Sequence, residues 1–302
     1  MRIGTLQLFR QGVNSILEQQ TRLFRTQQQL STGKRINTPS DDPTGAAQLI
    51  GLSETAGVTS QYQNNIQQAR TRLRLEDAAL GAVVNNLQRA RELAVQGLND
   101  TNNLEDRNAI ALEIRQILDE VMGLANSRDG NGNYLFAGGR GQSQPFSQPL
   151  PGVFSYGGDQ AQRLIQVGPA RQVADGDSGF DVFMKIPDAT GATPYEDVFT
   201  TLYTLATDLE ANAPQGATLD QLDNAIDNLV EFRASVGARL NVLGSQESVN
   251  EALLLQIEQT RSTIEDLDYA EAASRLQQQS ITLQAAQQAF INVQNLSLFN
   301  FL

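Results

Sequence analysis

Apolar residues recur along most of this chain at alternating three- and four-residue intervals. That spacing lays them along one stripe of an α-helix. Near the start, Leu6, Phe9, Val13, Ile16, Gln20, Leu23, Gln27 and Leu30 keep the interval, and six of these eight are apolar. Near the end, Leu276, Gln279, Leu283, Ala286, Phe290 and Val293 keep it too, and Leu296 and Phe299 prolong it. Each stretch predicts a helical arm of about 30 residues, about 45 Å long, with a seam narrow enough for coiled-coil pairing. Both arms are rich in Gln, with seven in residues 1–30 and seven in residues 276–302. A seam this thin buries little surface. The arms are therefore expected to be largely disordered alone and to fold against neighbours.

Between the arms the stripes are stronger. Ile66, Ala69, Leu73, Glu76, Leu80, Val83, Leu87, Ala90 and Ala94 hold one strict seam. After the cap-rich loop "NDTNN" (99–103), Ile110, Ile114, Ile117, Val121 and Leu124 hold a second. Leu219, Leu222, Ile226, Leu229, Arg233, Val236, Leu240 and Leu243 form another, preceded by a short helix carrying Tyr195, Val198, Leu202, Leu205 and Leu209. Residues 128–194 break the pattern with Gly, Pro, Asp and Gln. Their short β-like runs are Tyr134–Ala137, Val153–Tyr156, Leu164–Val167 and Phe180–Met184.

The predicted fold is mainly α: a long antiparallel helical rod with paired terminal coiled-coil arms and a small inserted β-rich domain. Residues 1–42 and 266–302 make the arms, 43–127 and 195–265 the rod, and 128–194 the insert. "LSTGKRINTPSDDPTGAAQLI" (30–50) is then the joint where the arm stops and the rod starts. Asp42 suits a helix N-cap and Pro43 the first helical position.

Composition narrows the function. The 302-residue chain is 40% hydrophobic and 19% charged, with no Cys, His or Trp. That leaves no thiolate nucleophile, no imidazole base and no Cys or His ligand. The net charge of −12 argues against a nucleic-acid partner. Residues 1–42 carry a net +3 and residues 264–302 a net −3, so the two ends suit each other. No apolar run reaches membrane-spanning length. The N-terminal twenty residues, interrupted by Arg10, do not read as a conventional signal peptide.

"DGNGNY" (129–134) and "DGDSGFD" (175–181) each begin like a calcium loop. They lack its sixth-position Gly and twelfth-position Glu, so no metal is expected. Asp41 and Asp42 are not read as an acid pair, because neighbours in a capping turn point apart. No cofactor is expected, and no catalytic constellation stands out.

The joint residues also carry a resemblance. "LSTGKRINTPSDDPTGAA" resembles the N-terminal signature of the flagellin superfamily, and "TIEDLDYAEAAS" (263–274) resembles its C-terminal one. "LQRARELAVQ" (87–96) is similar to the flagellin rod helix. Within the superfamily, "LANSRDGNGNYLFAGGRGQSQPF" (124–146) and the ending "NLSLFNFL" resemble the branch that sits between hook and filament, although Leu296 stands where that branch has Met. The flagellin segment Phe-Asn-Gly-x-x-Leu-Leu is absent. Two other readings stay open at this point: flagellin itself, the filament subunit, and a cytoplasmic coiled-coil adaptor.

The resemblance implies a non-enzymatic structural protein of the bacterial flagellum that assembles with copies of itself. It would join the hook, through hook-associated protein 1, to flagellin. It implies an extracellular location, reached unfolded through the flagellar type III export apparatus without a cleaved signal peptide. An export chaperone would hold the C-terminal arm. The expected assembly interface is Leu6, Phe9, Val13, Ile16, Leu23 and Leu30 with Leu276, Leu283, Phe290, Val293, Leu296 and Phe299. The expected joint is Gly33, Arg35, Asn37, Asp41, Asp42 and Pro43 with Asp266, Asp268 and Tyr269. By similarity to flagellin, Arg89 and Glu92 fall where an innate immune receptor contacts that protein; as plain helix chemistry they are a solvated face.

Overall fold

The computed structural model describes the backbone of residues 2–299 and the side chains of Gln7 and residues 9–292. Its helices are α1 (Arg2–Thr32), α2 (Pro43–Gly97), α3 (Leu104–Ala125), α4 (Val198–Glu210), α5 (Ala217–Glu265) and α6 (Tyr269–Phe299). Between α3 and α4 lie three antiparallel hairpins. They pair β1 (Phe146–Leu150) with β2 (Val153–Tyr156), β3 (Leu164–Gly168) with β4 (Arg171–Ala174), and β5 (Ile186–Pro187) with β6 (Tyr195–Glu196). Contacts divide the chain into two compact units, Met1–Val58 with Ala252–Leu302 and Thr59–Glu251. None of the described helices is long and apolar enough to cross a membrane.

The larger unit is built on the stripes read from sequence. Ile66, Ala69, Leu73, Leu80, Val83, Leu87, Ala90 and Ala94 of α2 are all buried, as are Ile110, Ile114, Ile117 and Val121 of α3. The "NDTNN" loop ends in a capping box. The Asn103 side chain accepts from the Asp106 N–H, and the Asp106 carboxylate accepts from the Asn103 N–H. Asp197 caps α4, and α4 packs on α3. At the insert the core turns aromatic. Phe136, Phe146, Phe183 and Phe199 are fully buried, with ring centroids 5.1–5.9 Å apart.

The insert departs from the predicted pattern in four places. Phe180–Met184 is one turn of π-helix rather than a strand. Val182 and Phe183 are consecutive and both fully buried, which the alternating faces of a strand do not allow. Tyr134–Ala137 forms only isolated bridges, Arg128 to Tyr134 and Ala137 to Ser178. Tyr195, expected to start a helix, pairs with Pro187 in β6 and is half exposed. Strands β1 and β4 carry no apolar alternation and went unread, β1 because it holds Pro149.

In the smaller unit α1 packs on α6 within the same chain. The two arms therefore pair with each other, as the fold reading expected. Each supplies the other's apolar stripe. The seam of α1 keeps a heptad, Ile16, Gln19, Leu23, Thr26 and Leu30, but it shares only every second position with the expected one. Gln20 and Gln27 are exposed, while Gln19 is half-buried and Thr26 and Gln29 are buried.

Candidate assembly site at the terminal helices and their joint

α1 ends because Gly33 adopts φ +72°. Its N–H donates to the Gln29 carbonyl at 2.8 Å, the left-handed cap that terminates many helices. A side chain here meets a second obstacle, since a Cβ on Gly33 would sit 2.7 Å from the Tyr269 hydroxyl. Gly33→Ala is expected to destabilise this unit by about 1–2 kcal/mol. In a double-mutant cycle read by thermal unfolding, adding Tyr269→Phe should recover part of the loss. Strict additivity would mean that the ring does not constrain the turn.

The two acidic neighbours do separate jobs. Asp41 accepts the N–H groups of Asn37 (3.0 Å) and Thr38 (2.9 Å) and pairs with Arg25 at 2.5 Å. Partial burial works to raise its pKa, but these donors outweigh it and hold the carboxyl below the usual range. Asp42 accepts the Gly45 N–H at 2.9 Å and so caps α2, whose first residue is Pro43. That N–H, then Arg35, holds Asp42 low as well. Both shifts are downward. Their stabilisation is therefore present above the ordinary value of 3.8 and is lost as pH falls below it.

The joint after α1 and the joint before α6 are tied directly to each other. Lys34 and Asp266 form an antiparallel bridge, with Arg35 N–H to Glu265 O at 2.6 Å and Leu267 N–H to Gly33 O at 3.0 Å. The Arg35 guanidinium donates to the Ile264 carbonyl at 2.8 and 3.1 Å and lies 3.4 Å from Asp42. Lys34 pairs with Glu265. Ile36 and Leu267 are buried beneath this bridge. The Asp268 carboxylate accepts from the N–H groups of Ala270 (2.9 Å) and Glu271 (3.1 Å) and starts α6. Asp266 accepts from the Ser262 hydroxyl. The Asn37 side chain donates to the Lys34 carbonyl at 3.3 Å.

Along the paired arms, Phe9 and Phe290 meet with ring centroids 5.2 Å apart. Gly12 makes room for that ring, since a Cβ there would lie 2.8 Å from it. Val13, Ile16, Leu23, Leu30, Leu276, Leu283 and Phe290 are all half-buried, and Phe9 is 46% exposed. Leu6, Val293, Leu296 and Phe299 lie outside the residues whose side chains are described.

The seam therefore serves mainly the pairing of α1 with α6. A different set of apolar side chains faces outward. Leu17 is 54% exposed, Phe24 71% and Ile281 56%. Leu17 and Phe24 are seven residues apart, a second stripe visible in the sequence but passed over because one heptad had already been assigned. Lys34, Glu265, Ile36, Leu267 and Gly12 were likewise not singled out.

Elsewhere, Arg89 pairs with Glu113 at 2.8 Å and with Glu92 at 3.2 Å on an exposed helix face. The calcium-like loops use their carboxylates internally. Asp129 accepts from the N–H groups of Asn131 (2.9 Å) and Asn133 (3.0 Å) and pairs with Arg72 at 3.1 Å. Asp175 pairs with Arg163, and Asp177 with Arg239.

Comparison with known proteins agrees with this arrangement. The family described as the bacterial flagellin N-terminal helical region matches residues 3–140, and the bacterial flagellin C-terminal helical region matches residues 219–302. The flagellar hook-associated protein 3 of Salmonella typhimurium is 32% identical over 99% of both chains. That of Escherichia coli is also 32% identical over 99% of both. Similarity to Salmonella typhimurium flagellin is partial: 34% identity over 41% of this chain and 25% of that one. In fold, a crystal structure of hook-associated protein 3 from Legionella pneumophila superposes with TM-score 0.66 at 23% identity, covering 70% of this chain and 98% of that one. The Xanthomonas campestris protein FlgL gives 0.60 at 22%, covering 70% and 99%. The chain belongs to the flagellin superfamily and is a full-length homologue of flagellar hook-associated protein 3.

Proposed function

We propose that this chain is a structural protein of the hook-filament junction in the bacterial flagellum. It would stack on hook-associated protein 1 on one side and receive flagellin on the other. The observation that carries the reading is the coverage. The likeness to hook-associated protein 3 runs over 99% of both chains, whereas the likeness to flagellin covers 41% of this one. With no Cys and no His the chain has no thiolate nucleophile and no imidazole base, which is compatible with a structural role.

In this reading α1 and α6 form the assembly domain. Their seam holds the pair together, and the outward side chains Leu17, Phe24 and Ile281 meet neighbouring subunits. Phe24 is 71% exposed and Leu17, one heptad away on the same face of α1, is 54% exposed, which gives that face an apolar strip for a neighbour to cover. The chain leaves the cell unfolded through the type III export apparatus with a chaperone on its C-terminal arm. The charge-free run from residue 276 to 302 suits such capture as an apolar, Gln-rich helix.

Two experiments test the proposal. Immunogold labelling of detached flagella should place the chain in one short band between hook and filament. Label along the whole filament would make it flagellin. Phe24→Asp should leave thermal unfolding of the isolated chain unchanged while blocking junction formation, because Phe24 contributes little inside one chain. Normal junctions in that variant would remove the outer face from the account.

A further inference from the structure

A buried polar cluster in the larger unit seats residues 175–179 of the insert onto α2 and α5. Its centre is Glu76 of α2, 1% exposed. Glu76 Oε1 accepts the backbone N–H of Asp177 at 3.0 Å. Glu76 Oε2 meets no hydrogen-bonding group among the described residues. We propose that this seat is a proton-controlled latch, closed while the Glu76 carboxyl is neutral and loosened when it ionises.

The charged groups around it make the case. α2 contributes Arg72, α5 contributes Arg239 and the insert contributes Asp177. Arg239 is paired with Asp177. Arg72 is paired with Asp129 at 3.1 Å and also donates to the Tyr134 and Leu135 carbonyls at 3.1 and 3.0 Å. Farther out, Arg163 is paired with Asp175. Neither Arg72 nor Arg239 hydrogen-bonds to Glu76, although Arg72 Nε and Arg239 Nη1 are also without partners among the described residues. Each cation already has its own carboxylate, so the cluster is balanced with Glu76 neutral. Ionising Glu76 adds one negative charge beside Asp177 in a dry site; Arg239, the Asp177 N–H and Arg72 favour that charge, but burial and the Asp177 carboxylate outweigh them. The carboxyl also carries the only link from α2 to the Asp177 N–H, and Asp177 in turn reaches α5. Loosening at Glu76 therefore loosens both attachments.

Burial first, and the Asp177 charge second, push the Glu76 pKa from 4.5 up to about 8. A group raised on folding stabilises fully below its unfolded value and loses that contribution as pH climbs to the folded one. The latch therefore weakens between pH 4.5 and about 8, by up to about tenfold in its opening constant per pH unit.

Hydrogen exchange of the full chain at pH 5.5, 6.5 and 7.5, corrected for the intrinsic rate, reads this opening at the amides of residues 175–182. The wild-type opening constant should rise about tenfold per unit, and Glu76→Gln should hold it constant. Burial also raises Glu196, Asp197 and Asp208, but these lie at the two ends of α4, and the variant separates them. A flat wild-type profile, or an equally steep one in Glu76→Gln, overturns the proposal. If the variant does not fold, titration of the Glu76 side-chain carboxyl carbon by NMR in the wild type decides. A midpoint above pH 6 supports the latch, and one below it overturns it.

Discussion

Phe290→Asp is expected to abolish junction formation while leaving the larger unit folded. Phe290 packs its ring on Phe9 and fills the space that Gly12 leaves open. Replacing it removes an aromatic contact worth about 0.5–1.5 kcal/mol beyond its buried area. It also places a carboxylate on the apolar seam. The α1–α6 pair has a thin seam and little reserve. The unit of Thr59–Glu251 has its own core and does not depend on that contact. Calorimetry of the purified variant should keep the main transition at the wild-type temperature, while cells carrying it should bear hooks without filaments. Filaments of normal length on those cells would mean that the arm pair is dispensable.

Phe183→Ala should have the largest effect on stability. Phe183 is fully buried and contacts Phe136, Phe146 and Phe199 at centroid distances of 5.1, 5.4 and 5.9 Å. Truncation of such a ring costs about 3–5 kcal/mol, because the neighbours cannot close the cavity. For a unit of this size that lowers Tm by roughly 6–20 °C. Phe183→Leu should cost clearly less by the same calorimetric measurement. Equal losses for the two variants would point to the π-turn backbone, not the cavity, as the source. A loss below about 1 kcal/mol would mean that the aromatic cluster is not the keystone of the insert.

The helices were legible in the sequence because each buries a single stripe for its whole length. Leu73, Leu80, Leu87 and Ala94 all fall where the heptad puts them. The same reasoning slipped in α1, where the polar residues Gln19 and Thr26 take inward positions that apolar counting assigned to Gln20 and Gln27. Glu76 lies in the α2 stripe, but periodicity cannot tell a buried carboxyl that holds a backbone N–H from a gap in the seam. In the insert, local patterns failed because burial there comes from aromatic side chains converging out of four elements, and the π-turn has no periodic signature.

At the joint, Gly33, Asp42 and Pro43 announced the stop and restart through local backbone chemistry. The attachment of Arg35 to the Ile264 carbonyl spans 229 residues of sequence, and nothing local encodes it. The assembly seam was read as one surface. Its described members lie on the face that pairs α1 with α6, while Leu17 and Phe24, outside that reading, face outward.

The central claim is that this chain joins hook to filament. Deletion of its gene, with cells and culture medium examined together, tests that most directly. The account predicts bare hooks on the cells and full-length flagellin shed into the medium. Normal filaments on the deleted cells would contradict it, and loss of filament protein from both places would make this chain the flagellin.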